Sequence, residues 1–564
     1  MIIDSNSIPR DTSLVADVCV VGSGAAGISL ALALSDHGVS VLLLEAGYAH
    51  EDRRTQALYD GEVANELLHS PPDKYRLRRF GGSTLIWGGR CVPFDAIDFE
   101  AREFVQSSGW PIPYDEVAAF YPAANALAEA GRCEYDADKV FGPGAEPLIK
   151  GFASTVVRTN SLERFSCPTN FAVRYGRRLQ HAPGLKVVMG ANCTSIRLQP
   201  NAEQVQGLEI ATLSGNRFQV AAKMYVLAVG GIETARLLLA SRNVTAAGVG
   251  NEHDVVGRYY MCHVAGNVGA LTISGAPNRV RHSYEVAPDG VYCRRRLSIA
   301  PCEQRRLGLS NMVARLHFAR ITDPAHRSGV LSGLFLARNI ISYEYGKRLQ
   351  DGAETTFVNR LKHLRNVVMG PSDTSAFLLH WLAKRTFAER KFPSVILRNR
   401  TNRFSLEIHG EQIAQASSRV SLTDRADELG MPRVRVDWRY SPDDVDSVRR
   451  SLDVMSSEFE RLQIGKLTYD SNTLEQELMR FGAYGGHHIG TARMGNDVRT
   501  SVVDANCRVH SAKNLYVAGS AVFPTSSQAN PTLTIIALSL RLAEHLLLRL
   551  GASRSAQSVA ATSP

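Results

Sequence analysis

A glycine-rich turn between two short apolar segments most constrains the fold of the N-terminal part of this chain. Residues 17–21 are rich in β-branched side chains and predict a buried parallel strand. The turn Gly22-Ser23-Gly24-Ala25-Ala26-Gly27 follows directly, then a predicted helix over 28–36 and a second strand over 39–44 that ends at Glu45. Strand, glycines, helix, strand and acid in this order predict a βαβ unit that binds a dinucleotide.

Each glycine of the turn has a physical task in such a unit. The first permits the tight turn, the second lets the backbone approach a pyrophosphate, and the third allows close packing of helix on strand. The free N–H groups at the helix start attract the phosphates, and an acid after the second strand takes the ribose hydroxyls. Such an acid argues against NADP but does not separate FAD from NAD, and a purely structural glycine turn is the alternative. The predicted contacts are Gly22, Gly24, Ala25, Ala26, Gly27, Glu45 and Ala46.

Two later segments repeat the change from strand to glycine. Residues 224–229 precede Gly230-Gly231 and a predicted helix over 233–241, and residues 514–519 precede a final helix over 531–550. The intervening part differs, and the period-two alternation over 433–438 predicts a half-solvated antiparallel strand. We therefore expect a discontinuous nucleotide domain, residues 1–264 and 480–551, with a substrate domain inserted at 265–479. The Ser/Ala-rich end, 552–564, predicts a disordered tail.

Composition excludes several classes of protein. The 564 residues are 44% hydrophobic with a formal charge of +9, and the positive residues are spread widely, with a denser stretch at 347–403. No nucleic-acid motif accompanies this stretch, so we interpret it as a solvated basic face and expect no nucleic-acid partner; a weak contact with an anionic membrane or an acidic redox partner stays open. Nine cysteines without a CxxC pair favour reduced thiols and no metal site. Charged residues interrupt the two long apolar runs, 15–34 and 533–550. We therefore expect no export signal, no membrane span and a cytoplasmic location.

Four further motifs carry a resemblance to a known family. They are Gly81-Gly82-Ser83-Thr84-Leu85-Ile86-Trp87-Gly88-Gly89, the glycine signature over 230–239 (GGIETARLLL), the segment over 486–495 (GHHIGTARMG) and Asn530-Pro531-Thr532-Leu533-Thr534. In this order they resemble the glucose-methanol-choline (GMC) oxidoreductases, nearest the pyranose oxidase and sugar dehydrogenase branch. The resemblance spans almost the whole chain.

The resemblance implies a fold and a cofactor. The fold would be α/β, a Rossmann-type FAD-binding domain with an inserted α+β substrate-binding domain built on an antiparallel sheet. The cofactor would be FAD, with the loop over 80–90 against the flavin. Leu85 and Ile86, where covalently linked members can place a histidine, imply dissociable FAD. Ser520 stands where many flavoproteins have Asp. The implied additional contacts are Gly82, Ser83, Thr84, Trp87, Gly88, Gly519, Ser520, Pro531 and Thr532.

The resemblance also implies a catalytic pair, His487 and Asn530. A neutral imidazole suits removal of the hydroxyl proton as hydride leaves carbon, and an amide can orient the hydroxyl but cannot act as a base. The simpler alternative is that Asn530 caps the last helix with Pro531 at its first position. His488 would pack or bind backbone, and we expect structural or surface roles for the remaining histidines, His263 among them.

The implied activity is FAD-dependent oxidation of an alcohol, with a sugar or glycoside as donor. Oxidation of non-sugar alcohols, a GMC-type lyase that holds FAD without net redox turnover, and a flavin-holding interaction protein are the alternatives. The electron acceptor is oxygen, a quinone or a redox protein such as a cytochrome subunit. No CxxCH motif occurs in the chain, so any haem would belong to a partner.

Overall fold

The computed structural model describes residues 1–318, 321–322, 324–338, 356–394 and 402–552. Within these residues the first sheet has eight strands, and its central members are apolar on both faces because helices cover them. Its parallel part supports the predicted βαβ unit, and its far edge is antiparallel. In spatial order the strands are Ile2–Asp4, Leu185–Met189, Val41–Glu45, Ser13–Val21, Arg217–Leu227, Val205–Ala211 and Asn192–Leu198, with Leu515–Val517 beside Arg217–Leu227.

The second sheet is antiparallel throughout its described strands. In spatial order they are Gly465–Thr468, His263–Ile273, Arg403–Glu411, Met312–His317, Tyr292–Ile299, Val157–Phe165 and Arg90–Cys91, with Glu285–Val286 beside Tyr292–Ile299. A third sheet consists of Arg419–Ala426, Pro432–Asp437 and Gly61–Val63. The α/β fold with an antiparallel second sheet confirms the predicted fold class.

The helices surround these sheets. Thr532–Leu550 packs on Ala25–Ser35, so the last helix lies beside the first. The α-helices are Ala25–Ser35, Arg53–Ala57, Tyr114–Ala118, Tyr121–Leu127, Ala137–Phe141, Phe171–His181, Gly231–Ala240, Pro301–Leu307, Gly329–Ala337, Phe357–Met369, Pro371–Trp381, Pro442–Arg461, Leu474–Met479 and Thr532–Leu550. Short 3₁₀ turns are Ser5–Ser7, Gly82–Leu85, Ala96–Phe99, Pro277–Arg279, Pro324–His326, Tyr484–Gly486 and Ser520–Val522, and Leu382–Thr386 is a π turn.

Strand pairing refines the predicted organisation. The strand Pro432–Asp437 pairs antiparallel with Arg419–Ala426, as its alternation indicates, and parallel with Gly61–Val63. Val157–Phe165 and Arg90–Cys91, which lie before residue 264, pair in the second sheet. The domain boundaries at 264 and 479 stay predictions, since the second sheet also takes strands from the N-terminal part. The predicted disordered tail lies, apart from its first residue, outside the described residues.

No disulfide joins any of the nine cysteines, all of which lie in described parts of the chain. Among the described helices, none combines the length and the apolar content that crossing a membrane requires.

Candidate active site

A cavity of about 540 Å³ opens where the parallel strands of the first sheet end. It is lined by residues of the first glycine turn, the loop over 82–88, the segment around His487 and the start of the last helix. Ligand sites in open α/β sheets lie at this carboxyl edge of the strands. The predicted cofactor and catalytic segments therefore meet at one cavity.

The first glycine turn is shaped for a phosphate. A Cβ at Gly22 would lie 2.5 Å from the Ala228 carbonyl oxygen, and one at Gly27 would lie 1.8 Å from the Gly22 carbonyl oxygen. Both positions exclude a side chain. A Cβ at Gly24, by contrast, would meet no atom within 4 Å, and the helix Ala25–Ser35 begins there without a side-chain cap. Its first N–H groups remain available to an anion, as pyrophosphate binding requires.

Glu45, for which the sequence predicts a ribose contact, lines the cavity and also fixes the turn. Its carboxylate accepts the Ser23 N–H at 3.0 Å and the Gly47 N–H at 2.7 Å, and it also accepts the Ser23 hydroxyl. The side chain is buried. Besides the predicted ribose contact, the acid therefore holds the turn and the end of the second strand together.

The second glycine signature supports the catalytic segment. A Cβ at Gly231 would lie 2.4 Å from the His488 carbonyl oxygen, so only glycine permits this approach. The Thr491 hydroxyl donates to the Gly231 carbonyl at 2.6 Å, and the Ser520 hydroxyl donates to the His488 carbonyl at 2.7 Å. Ser520, predicted as a cofactor contact, thus uses its proton within the protein. The backbone around His487 is fixed from two sides.

The loop over 82–88 lies directly on the first turn. A Cβ at Gly82 would come within 3.1 Å of the Gly24 Cα, so the two glycine segments touch. The Trp87 indole N–H donates to the Thr169 carbonyl at 2.9 Å, which fixes the ring. Ile86 precedes it with 44% of its surface exposed and supplies no nucleophile.

The catalytic pair predicted from the sequence comes together in the fold. The Asn530 amide Nδ2 lies 3.2 Å from His487 Nε2, and both side chains line the cavity. The buried atoms His487 Nδ1 and Asn530 Oδ1 have no protein partner. One hydrogen-bonding atom of each residue therefore remains for a bound molecule.

Two details near the pair, one at Asn530 and one at His488, differ from the sequence hypotheses. The capping hypothesis for Asn530 is wrong, because Pro531 is the N-cap of Thr532–Leu550 and no side chain bonds the first N–H groups. His488 was expected to pack or to bind backbone, but its Nδ1 lies 2.6 Å from the Tyr260 hydroxyl. That hydroxyl lies 2.8 Å from His69 Nε2, so the second histidine belongs to a separate polar chain.

Two buried histidines whose place the sequence did not indicate lie next to His487. His263 and His409 are fully buried, with ring centres 4.8 and 6.0 Å from that of His487. His409 lies opposite Ala265 in the second sheet, so it shares a face with His263. The ligand atoms of the three imidazoles lie within 4.8 Å of one another, close enough for a metal ion. Only knowledge of the strand register could have found this cluster.

The histidines of the cluster have lowered pKa values. Burial, followed by the charges of His263 and Arg90, holds the pKa of His487 well below its usual range. Burial likewise lowers the pKa of His263 to about 3, even though bonds to the Ser527 and Gly410 backbone oppose the change. These rings are neutral at physiological pH, and a neutral imidazole can accept a proton.

A buried ionic network that the sequence did not indicate also borders the cavity. Glu233 binds Arg78 at 3.2 Å and Arg236 at 3.0 Å, while Arg76 lies over the Tyr59 ring. Burial alone would raise the pKa of Glu233, but the arginines outweigh it and lower that pKa to about 2. Arg76 and Arg78 of this network line the cavity.

These features fit FAD. The uncapped helix start and the open space at Gly24 suit a pyrophosphate, and Glu45 lies where a ribose is expected. The unpartnered atoms of His487 and Asn530 lie across the same cavity, beside the loop expected to contact the flavin. When bound, FAD would supply hydride acceptance there.

Comparison with known protein families agrees with this geometry. The model of the family FAD dependent oxidoreductase matches residues 17–306, which is more than half of the chain. The model of the family GMC oxidoreductase matches residues 414–539, which include His487 and Asn530.

Similar proteins cover nearly the whole chain. The 6'''-hydroxyparomomycin C oxidase of Streptomyces lividus is 26% identical over 97% of this chain and 94% of its own. The paromamine 6'-oxidase of Streptomyces fradiae is 26% identical over 95% of this chain and 92% of its own. Among solved structures, pyridoxine 4-oxidase from Mesorbium loti matches with a TM-score of 0.52 and 18% identity, over 94% of this chain and 99% of that one. The chain belongs to the FAD-dependent oxidoreductases, and its part over 414–539 is that of the GMC oxidoreductase family.

Proposed function

We propose that this enzyme oxidises a CH–OH group of a sugar or glycoside, with His487 as the base and Asn530 as the orienting residue. The observation that carries the proposal is the His487–Asn530 contact of 3.2 Å at a cavity shared with the dinucleotide turn. The chemistry that FAD would supply there, when bound, is hydride acceptance.

The chain's own residues supply the proton chemistry. Neutral His487 takes the proton from the substrate hydroxyl as the C–H bond breaks, which is general base catalysis. Asn530 holds the hydroxyl and stabilises negative charge that develops on its oxygen. The Gly231–His488 and Ser520–His488 backbone contacts keep the histidine loop in place while this happens.

The proposed donor class comes from two kinds of support. The two relatives described above are named as oxidases of 6'''-hydroxyparomomycin C and paromamine, which are aminoglycosides. The side of the cavity near His487 also offers polar groups that suit hydroxyls, since Arg90 and Tyr284 line it. A polyol donor matches this set of donors and acceptors better than a purely apolar alcohol does.

We also propose that FAD is held without a covalent bond. Leu85 and Ile86 precede Trp87, and neither side chain can form a link to the flavin. Acid precipitation of the yellow enzyme should leave the flavin in the supernatant. Yellow colour retained in the pellet would contradict this part of the proposal.

Flavin bleaching without oxygen tests the donor class. The purified holoenzyme is mixed anaerobically with aminoglycosides, free sugars, C-glycosides, aliphatic alcohols and aromatic alcohols, and the flavin absorbance is followed. We expect rapid bleaching by at least one sugar-type donor. Bleaching by non-sugar alcohols alone would replace the donor class, and turnover of a hydroxynitrile without any bleaching would identify a lyase.

A further inference from the structure

A helix whose polar side faces inward lies on the surface of the part over 265–479. Phe357–Met369 contacts the rest of the protein through polar side chains, whereas most surface helices bury their apolar face. The fully buried His363 lies 3.0 Å from the Ser332 hydroxyl and 3.2 Å from the Thr322 carbonyl. The Asn366 amide donates to the Pro324 carbonyl at 2.9 Å. The polar side of this helix is therefore its inner side.

The outer side of the same helix is apolar. Phe357, Leu361, Leu364 and Val368 follow the spacing i, i+4, i+7, i+11, which places them on one stripe opposite His363 and Asn366. Each of the four side chains is between 50 and 74% exposed. We call these four residues the apolar stripe.

Exposed apolar side chains are concentrated around this stripe. In the described residues, twenty large hydrophobic side chains are well exposed, and eleven of them lie between residues 336 and 387. Scattered exposed apolar residues are ordinary, but a dense group indicates a binding surface. The segment after the stripe adds Leu378, Leu379, Leu382 and Phe387.

The charges beside the stripe have one sign. Since each residue advances about 100° around a helix, Arg360 and Arg365 lie on its two flanks. No acidic residue occurs in the sequence from 356 to 369, and the stretch over 356–394 has seven Lys or Arg against two Asp or Glu. An apolar stripe with basic flanks is complementary to a bilayer that contains anionic lipid.

We propose that the apolar stripe and its basic flanks bind the surface of an anionic phospholipid bilayer. The apolar side chains would enter the interface while the arginines contact lipid phosphates. A second copy of the chain fits the surface poorly, because it would bring the same positive flanks together. The solvated basic face expected from the sequence thus becomes a surface with a specific partner.

The surface also has a connection with the active site. Arg385 and Pro393, from the same segment, line the cavity that contains His487. The Arg385 guanidinium donates to the Pro393 carbonyl at 2.8 Å, which ties this part of the segment together. The segment that carries the proposed surface therefore also supplies part of the cavity wall.

Vesicle co-sedimentation of the full-length holoenzyme tests the proposal. The probes are vesicles of phosphatidylcholine with phosphatidylglycerol and vesicles of phosphatidylcholine alone. We expect binding to the anionic vesicles that is roughly tenfold or more stronger than to the neutral ones and that high salt weakens. Equal binding to both vesicles, or none to either, would overturn the proposal without any variant being needed.

A pair of variants locates the surface. Leu361→Ser with Leu364→Ser should weaken anionic vesicle binding by roughly tenfold or more, because two interfacial side chains are lost. The matched control is Leu67→Ser with Leu548→Ser, two exposed leucines elsewhere, and it should bind as the wild type does. Flavin content and thermal unfolding verify that both proteins are folded. Equal loss in both variants, or an oligomer that dissociates only in the stripe variant, would contradict membrane docking.

Discussion

The Asn530 amide nitrogen lies 3.2 Å from His487 Nε2, although 43 positions separate the two residues. An amide NH₂ donates, so Nε2 accepts this bond with its lone pair and the ring proton of the neutral imidazole is on Nδ1. Nε2 thus carries the basic lone pair of the ring, and a substrate hydroxyl that gives its proton to Nε2 would take the place of the Asn530 contact.

Replacement of His487 should abolish most of the chemistry while FAD stays bound. We expect His487→Ala to slow anaerobic flavin reduction by about 10²–10⁴-fold, the usual contribution of a general base. His488→Asn should have a much smaller effect, because His488 bonds Tyr260 rather than Asn530. Stopped-flow absorbance of the flavin measures both rates.

The ratio of the flavin reduction rates of the two variants decides whether His487 or His488 is the base. Unchanged flavin absorbance before mixing shows that each variant holds FAD. If His488→Asn were the slower enzyme, the base would be His488 and the assignment to His487 would be wrong.

Replacement of Asn530 should reduce catalysis for a different reason. Asn530→Ala leaves the base in place but removes the group that orients the hydroxyl, so we expect kcat/KM to fall by about 10²–10³-fold. The pH dependence should keep its shape, since the titrating group is still present. Steady-state kinetics over a range of pH provides the check, and normal kcat/KM would exclude a role for Asn530 in the reaction.

Local motifs explain why much of this fold could be predicted from the sequence. The turn at Gly22, Gly24 and Gly27 has its meaning within about thirty residues, and the family comparison confirms the dinucleotide fold that it indicated, with FAD as the dinucleotide. The contact of Gly231 with the His488 carbonyl likewise explains why a glycine signature precedes a distant catalytic segment. A close approach between two backbone segments can be recognised in the sequence, because only glycine permits it.

Side-chain clusters across strands cannot be recognised in this way. His263 and His409 meet near His487 only because two strands 140 residues apart pair in a particular register. Asn530-Pro531 has the local pattern of a helix cap, yet tertiary contact with His487 places the amide elsewhere. The inward polar side of the helix Phe357–Met369 could not be predicted for the same reason, since its basic residues alone indicated a solvated face.

A side chain at Gly24 should remove FAD without disrupting the fold. Its Cβ would meet no protein atom within 4 Å, and the added methyl groups of Gly24→Val would occupy space that the pyrophosphate needs. We expect a folded, colourless protein. Visible absorbance and circular dichroism of the purified variant measure these two properties.

Two comparisons make this result interpretable. Gly333→Val also adds a side chain into open space but away from the cavity, and it should remain yellow. Gly27→Val should fail to fold, because its Cβ would lie 1.8 Å from a backbone oxygen. A fully yellow Gly24→Val protein would show that the phosphates bind elsewhere.

The buried histidines should make the protein sensitive to mild acid. The pKa of His263 is lowered to about 3 in the fold, whereas the unfolded chain titrates near its ordinary value of 6.5. The unfolded state therefore binds the proton first as pH falls. Stability is complete above pH about 6.5 and decreases from there toward pH about 3.

His263 alone should lower the free energy of unfolding by about 2 kcal/mol between pH 7 and pH 5, and neutral His409, His487 and His488 add to this loss. His263→Gln keeps a donor for the Ser527 carbonyl but cannot titrate. Between pH 7 and pH 5 the free energy of unfolding of this variant should therefore decrease by about 2 kcal/mol less than that of the wild type. Urea unfolding of the holoenzyme and of this variant at both pH values provides the four free energies. Because each protein is compared with itself at two pH values, a uniform destabilisation by the substitution cancels. Equal losses in the two proteins would mean that His263 is already protonated in the fold.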